Sequence, residues 1–178
     1  MELREETVAS QIIYQGKIVT LKVDQVRLPN GEPAGREVVE HPGGVAILAV
    51  FEDGTVPIVR QFRYPFRKVV TELPAGKLEK GEDPHPAALR ELEEEVGVTC
   101  GELTYLGCLY SSPGFSTEVL HMYLARDLRQ GACHPDEDEF LEVERVPFQQ
   151  LAEQVLSGEI TDAKTVALVL KAKLLLEL

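Results

Sequence analysis

The sequence predicts an α/β (α+β) fold: a mixed sheet sandwiched between helices, preceded by antiparallel strands. Three observations point there. Strand patterns fill the first half of the chain, and one of them is apolar enough to be buried on both faces. A single capped helix interrupts the strands in the middle. Two further helical patterns close the chain, with strands between them and the middle helix.

Taken in order, the first ~40 residues read as β-hairpins by alternation. Ile18 through Leu28 alternates, Pro29-Asn30-Gly31-Glu32 is turn chemistry, and Gly35 through Glu40 starts another strand. Gly44 through Phe51 is a continuous apolar run, the pattern of a central strand covered on both sides. Glu52-Asp53-Gly54-Thr55 turns the chain, and Val56 to Phe62 returns. Val69 to Leu73 is a short strand that Pro74-Ala75-Gly76 is expected to break. Asp83 is a good N-cap and Pro84 suits the first helical position, where no N–H is needed. That helix is expected to run to about Val96 and stop at Gly97. Leu103–Tyr110 and Val119–Ala125 read as strands around the loop 111–118, and Phe140–Val146 as another strand. Pro147–Leu156 and Ala163–Leu176 read as helices, the second capped by Thr161 or Asp162.

Composition sets limits on function. The 178 residues, 44% of them hydrophobic, suit a globular chain with a proper core. No apolar run approaches the roughly 20 residues of a membrane span, so no membrane partner is expected. The start, MELREETVASQ, lacks the apolar core of a signal peptide, and a cytoplasmic location is expected. Cys100, Cys108 and Cys133 have no zinc spacing and are expected to be buried thiols; the four histidines form no ligand pattern. The net charge of −12 argues against nucleic acid. It would also repel a small anionic substrate unless arginines or bound cations admit it.

The stretch 76–98 carries the chemistry. Glu91, Glu94 and Glu95 fall at i, i+3 and i+4, hence on one face of the middle helix, while Ala88, Leu92 and Val96 turn toward the core. Arg90 lies four residues before Glu94 and can pair with it. Like charges stacked on one turn repel, and a divalent cation between them converts that cost into binding. The alternative is a solvated acidic helix face. Against it, Gly76, Glu82, Arg90, Glu91, Leu92, Glu94, Glu95, Gly97 and Val98 together fit G-x5-E-x7-R-E-U-x-E-E-x-G-U, with U aliphatic. A chance match at all nine positions is on the order of 10⁻⁶ for this composition.

That pattern resembles the box of the Nudix family. The resemblance implies an α/β/α sandwich and hydrolysis of a nucleoside diphosphate linked to another moiety, with two or three Mg²⁺ or Mn²⁺ ions. It implies Glu91, Glu94 and Glu95 as metal ligands, Arg90 as the residue that orients the carboxylates, and Glu82 and Gly76 as supports from the loop. Outside the box, several features resemble the ADP-ribose pyrophosphatase subgroup. They are Gln61-Phe62-Arg63, Leu73-Pro74-Ala75-Gly76, Pro113 sixteen residues after Gly97 in Ser112-Pro113-Gly114-Phe115-Ser116-Thr117-Glu118, and Asp136-Glu137-Asp138-Glu139 before Phe140.

Each feature has a physical task under that resemblance. The Ala75 carbonyl can ligate a metal. Arg63 can pair with a phosphate or stack on a base. Glu118 can accept from ribose hydroxyls, with Gly114 beside it, and Arg36 can reach the substrate or serve only as a surface arginine. The resemblance favours Glu137 as general base and Glu139 as a further metal ligand. The expected reaction takes ADP-ribose to AMP and ribose 5-phosphate. GDP-mannose or a similar nucleotide sugar is the alternative substrate, and a non-catalytic ADP-ribose sensor the alternative class. Residues 1–42 are expected to form a strand region that builds a homodimer, and 43–178 the hydrolase domain.

Overall fold

A computed structural model describes residues 3–134 and 140–176. The chain forms two compact units, Met1–Gly43 with Tyr110–Val119, and Gly44–Leu109 with Leu120–Leu178.

The first unit is built on a three-stranded antiparallel sheet of β1 (Glu6–Gln15), β2 (Thr20–Arg27) and β3 (Pro33–Glu40), in that order. The turn before β3 is the Pro29–Glu32 segment, with Gly31 at φ 88°, a conformation that glycine adopts without strain. The 110–119 segment joins this unit through backbone bonds between Val39 and both Phe115 and Thr117. Every residue of β1 is exposed.

The second unit holds the predicted sandwich. β4 (Gly44–Ala49) is the centre of a mixed sheet with β7 (Ala75–Lys77), β9 (Val119–Gln130) and β8 (Val98–Tyr110), in the order β7-β4-β9-β8. β4 runs antiparallel to β7 and parallel to β9. A second, antiparallel sheet has the order β10-β5-β6, from β5 (Thr55–Arg63), β6 (Lys68–Glu72) and β10 (Leu141–Pro147). The helices are α1 (Pro84–Val96), α2 (Phe148–Ser157) and α3 (Ala163–Leu176).

The apolar run at 44–51 explains the layering. All six residues of β4 are buried, and alternate side chains enter different cores. Ala46 and Leu48 join Leu151, Ala152, Val155, Leu168, Val169 and Ala172 of α2 and α3. Val45, Ile47 and Ala49 join Ala87, Ala88, Leu92 and Val96 of α1.

Local structure departs from expectation in three places. Pro74-Ala75-Gly76 does not simply end a strand: Ala75 opens β7, whose pairing partner is β4. β8 and β9 extend beyond the expected bounds, to Val98 and Gln130. The thiols are free, but only Cys100 is half-buried, packed against the core that α1 covers; Cys108 falls on an outward position of β8 and Cys133 on the segment after β9, and both are exposed. Among the described residues no helix is long and apolar enough to cross a membrane.

Candidate active site

The site grows from the caps of α1. The Asp83 carboxylate accepts from the His85 N–H at 2.8 Å, Pro84 occupies the first turn, and Gly97 at φ 64° ends the helix by donating to Glu93 O at 2.9 Å. These caps fix the helix register. The buried stripe is then Ala87, Ala88, Glu91, Leu92, Glu95 and Val96. Two carboxylates thus stand in the core stripe, one turn apart. The helix spacing predicts that Glu91, Glu94 and Glu95 share a face; the structure adds that Glu91 and Glu95 are buried while Glu94 is half-exposed.

Both buried carboxylates meet the β7 backbone. Glu95 Oε2 accepts from the Ala75 N–H at 2.9 Å. The Glu91 carboxylate lies so close over Gly76 that a Cβ there would be 1.8 Å from its carboxyl carbon. Only glycine leaves that space. Arg90 stands beside them. Its Nη1 donates to Glu91 and Glu94, each at 2.9 Å, and Nε and Nη2 donate to Glu82 at 3.3 Å. Burial works against the Arg90 charge, but Glu91, Glu94 and Glu82 outweigh it and hold its pKa above the ordinary value. Glu82 is itself oriented by the Glu79 N–H at 2.8 Å.

This donor set fits a hard divalent ion. Burying a carboxylate costs free energy unless it is paired, and here two are held one turn apart against the backbone of Ala75 and Gly76. Among the described residues no three His, Cys, Asp or Glu side chains form a complete ligand group. Mg²⁺ needs no such cage, since it usually binds through one or two carboxylates and substrate phosphates. Glu94, turned to Arg90, contributes charge to the cluster and orients the guanidinium. Glu137 and Glu139, expected as base and ligand, lie outside the described residues.

Arg63 is placed by a different cluster of the same unit. Its Nε and Nη2 fork onto Glu72 at 2.6 and 2.7 Å, and Lys164 also donates to Glu72. Lys164 reaches Asp162 at 3.0 Å. Glu72 is only 2% exposed, so its charge depends on these two cations. Burial opposes ionisation of Glu72, but the Arg63 hydrogen bonds and Lys164 prevail and hold its pKa below the ordinary carboxylate value. The Arg63 side chain is 41% exposed, and the fork uses only its Nε and Nη2.

The other expected substrate residues lie in the first unit. Arg36 donates to Glu5 at 2.9 Å through Nε and is a surface ion pair. Glu118 accepts from the Ser111 hydroxyl and stands 3.5 Å from His41 Nδ1. Gly114 has open space where a side chain would be. A cavity of about 570 Å³ in the second unit, lined by Val50, Phe51, Arg126, Asp127 and Phe148 among others, contains none of the expected site residues. It lies off the far end of β4, whereas β7 pairs at Gly44–Ala46.

Sequence reasoning did not single out Glu72, Asp162, Lys164 or Thr165 as part of this neighbourhood. Only Asp162 carried a local signal, as a cap.

The fold and the carboxylate platform define a class, a mixed-sheet sandwich in which one helix sets two buried carboxylates against the backbone of a short strand. The chain belongs to the Nudix family: the NUDIX domain model matches residues 40–169, and a nucleoside diphosphate sugar hydrolase N-terminal domain matches residues 5–39. It is 48% identical over 165 residues to an ADP-ribose pyrophosphatase of Bacillus subtilis (strain 168), covering 92% of this chain and 89% of that one. It is 43% identical over 164 residues to a methanol dehydrogenase activator of Bacillus methanolicus, covering 91% and 89%. A solved structure described as an ADP compounds hydrolase shares the fold with a TM-score of 0.86 at 21% identity, covering 99% of this chain and 97% of that one.

Proposed function

We propose that this chain hydrolyses the diphosphate of a nucleotide sugar, with ADP-ribose giving AMP and ribose 5-phosphate in a Mg²⁺-dependent reaction. The observation that carries this reading is the convergence of Glu91 and Glu95 on Ala75–Gly76, with Arg90 holding the neighbouring acids. A chain of net charge −12 admits a diphosphate only where cations screen its acids. The likeness to the B. subtilis enzyme supports ADP-ribose as the substrate.

Glu91, Glu95 and the Ala75 carbonyl would hold the metal, with Glu139 by family resemblance. Bound there, it would neutralise phosphate charge and lower the pKa of a coordinated water. The chain's own residues do the rest. Arg90 fixes the Glu91 and Glu94 carboxylates. Arg63, preset by Glu72, offers the rest of its guanidinium to a phosphate oxygen. Glu137 is assigned as the base that takes the proton of the attacking water. Glu118 and Gly114 are assigned to the ribose side, and Arg36 to substrate contact. Catalysis then rests on positioning and electrostatics, without a covalent intermediate.

Homodimerisation belongs to the same reading, supported by the β1 edge, where Val8, Ile12, Ile13 and Tyr14 are each more than half exposed.

The test is a hydrolysis panel of ADP-ribose, GDP-mannose, NADH, diadenosine polyphosphates and an oxidised purine triphosphate, ranked by kcat/KM. ADP-ribose is expected first. A preference for GDP-mannose would move the substrate assignment, and tight ADP-ribose binding without cleavage would make the chain a sensor.

A further inference from the structure

The first turn of α3 is tied to Leu73, in the two-residue link that leads into β7, the strand that meets the carboxylates. Thr165 is fully buried. Its hydroxyl lies 2.6 Å from Asp162 Oδ2, and the Thr165 N–H donates to the same oxygen at 3.0 Å. The same hydroxyl accepts from the Leu73 N–H at 2.9 Å, across 92 residues of sequence. A hydroxyl has one hydrogen, and a carboxylate can only accept it. The Thr165 hydrogen therefore goes to Asp162, and a lone pair faces Leu73.

From Leu73 the effect has a short path. Pro74 has no N–H, so it offers its carbonyl alone, which accepts from Ile47 N at 2.9 Å. The next N–H, on Ala75, is the donor to Glu95. Leu73, Pro74 and Ala75 thus hang from three different elements: α3 by a side chain, β4 by backbone, and α1 by the carboxylate itself. Glu72, the residue before, is held to the same turn of α3 by Lys164.

We propose that Thr165 is a positioning residue for the divalent-metal platform. Its hydroxyl, aimed by Asp162, sets the place of Leu73–Ala75 and through it the Glu95 carboxylate and the Ala75 carbonyl. This rests on the reading of Glu91 and Glu95 as metal ligands. Thr165 touches neither metal nor substrate; it acts through backbone.

The test is Mn²⁺ binding to the EDTA-stripped full chain, followed by electron paramagnetic resonance, with steady-state kinetics alongside. The variants are Thr165→Val, which keeps the shape and removes the hydroxyl, and Thr165→Ser, which restores it. Leu168→Ala, a core cavity in the same helix, controls for lost stability. Thr165→Val is expected to weaken Mn²⁺ binding about tenfold or more, the usual effect of removing a group that orients a ligand. The Mn²⁺ concentration for half-maximal activity should rise in step, while the substrate KM at saturating Mn²⁺ stays near wild type. Thr165→Ser should bind within about twofold of wild type. Leu168→Ala should melt earlier but bind Mn²⁺ normally. Wild-type affinity in Thr165→Val, or an equal loss in Leu168→Ala, would overturn the positioning role alone. No Mn²⁺ binding by wild type would remove the metal reading and this role with it. Should Thr165→Val not fold, Thr165→Ser against Thr165→Ala makes the same comparison.

Discussion

The carboxyl carbon of Glu91 would stand 1.8 Å from a Cβ on Gly76, and its two oxygens 2.0 and 2.2 Å away. The strand and the helix are therefore matched at this one point, where backbone faces carboxylate. The obstructing atoms are the end of a flexible side chain, so a methyl group there would push Glu91 aside rather than force the sheet apart.

Gly76→Ala should consequently separate stability from function. The stability cost should fall at the low end of the about 1–3 kcal/mol typical of overpacking. Metal activation should weaken about tenfold or more, since the displaced group is one of the proposed ligands. Thermal melting and Mg²⁺ titration of activity check this; a large melting loss with normal Mg²⁺ activation would contradict it.

Glu95→Gln tests the second carboxylate. The amide oxygen can still accept from the Ala75 N–H, so the fold should survive, with melting close to wild type. The charge proposed to bind the cation is gone, and turnover should fall by about 10²-fold or more. Near-normal turnover would remove Glu95 from the ligand set.

The Glu72 cluster predicts a stability effect with a pH signature. Glu72 is 2% exposed and faces Arg63 and Lys164. Glu72→Gln leaves those cations without their main acid and should destabilise by about 3 kcal/mol. In the wild type the folded pKa of Glu72 lies below its ordinary value of 4.5. Its stabilisation is therefore complete above that value and lost as pH falls through the lower, folded-state pKa. The melting temperature should drop below about pH 4.5 in wild type, and less steeply in Glu72→Gln. Parallel slopes would contradict the assignment.

The β1 edge predicts assembly. Ile12 is 55% exposed on a strand whose residues are all exposed. Light scattering at micromolar concentration should return twice the chain mass for wild type, and Ile12→Glu should shift it toward the monomer. A wild-type monomer would refute the dimer.

What the sequence revealed follows what is local. The α1 boundaries were legible because Asp83, Pro84 and Gly97 act on their own neighbours. The double-faced burial of β4 was legible because six apolar residues admit no polar face. β7 was hidden, since its three residues are a strand only through β4. Helix arithmetic put Glu91, Glu94 and Glu95 on one face, but which of them is buried depends on where the β7 backbone lies. The Thr165–Leu73 and Lys164–Glu72 bonds each span 92 residues, and no spacing rule reaches that far. The expectation of buried cysteines failed at Cys108 and Cys133 because burial follows from strand facing and segment position, not from residue type alone.

The most direct measurement is AMP release from ADP-ribose by the wild-type chain, with products identified by mass spectrometry, in Mg²⁺ and in EDTA. The metal-platform account predicts AMP and ribose 5-phosphate in equal amounts with Mg²⁺, and loss of turnover in EDTA that returns when Mg²⁺ is restored. Cleavage at an equal rate in EDTA, or ADP-ribose bound and recovered intact in Mg²⁺, would contradict it.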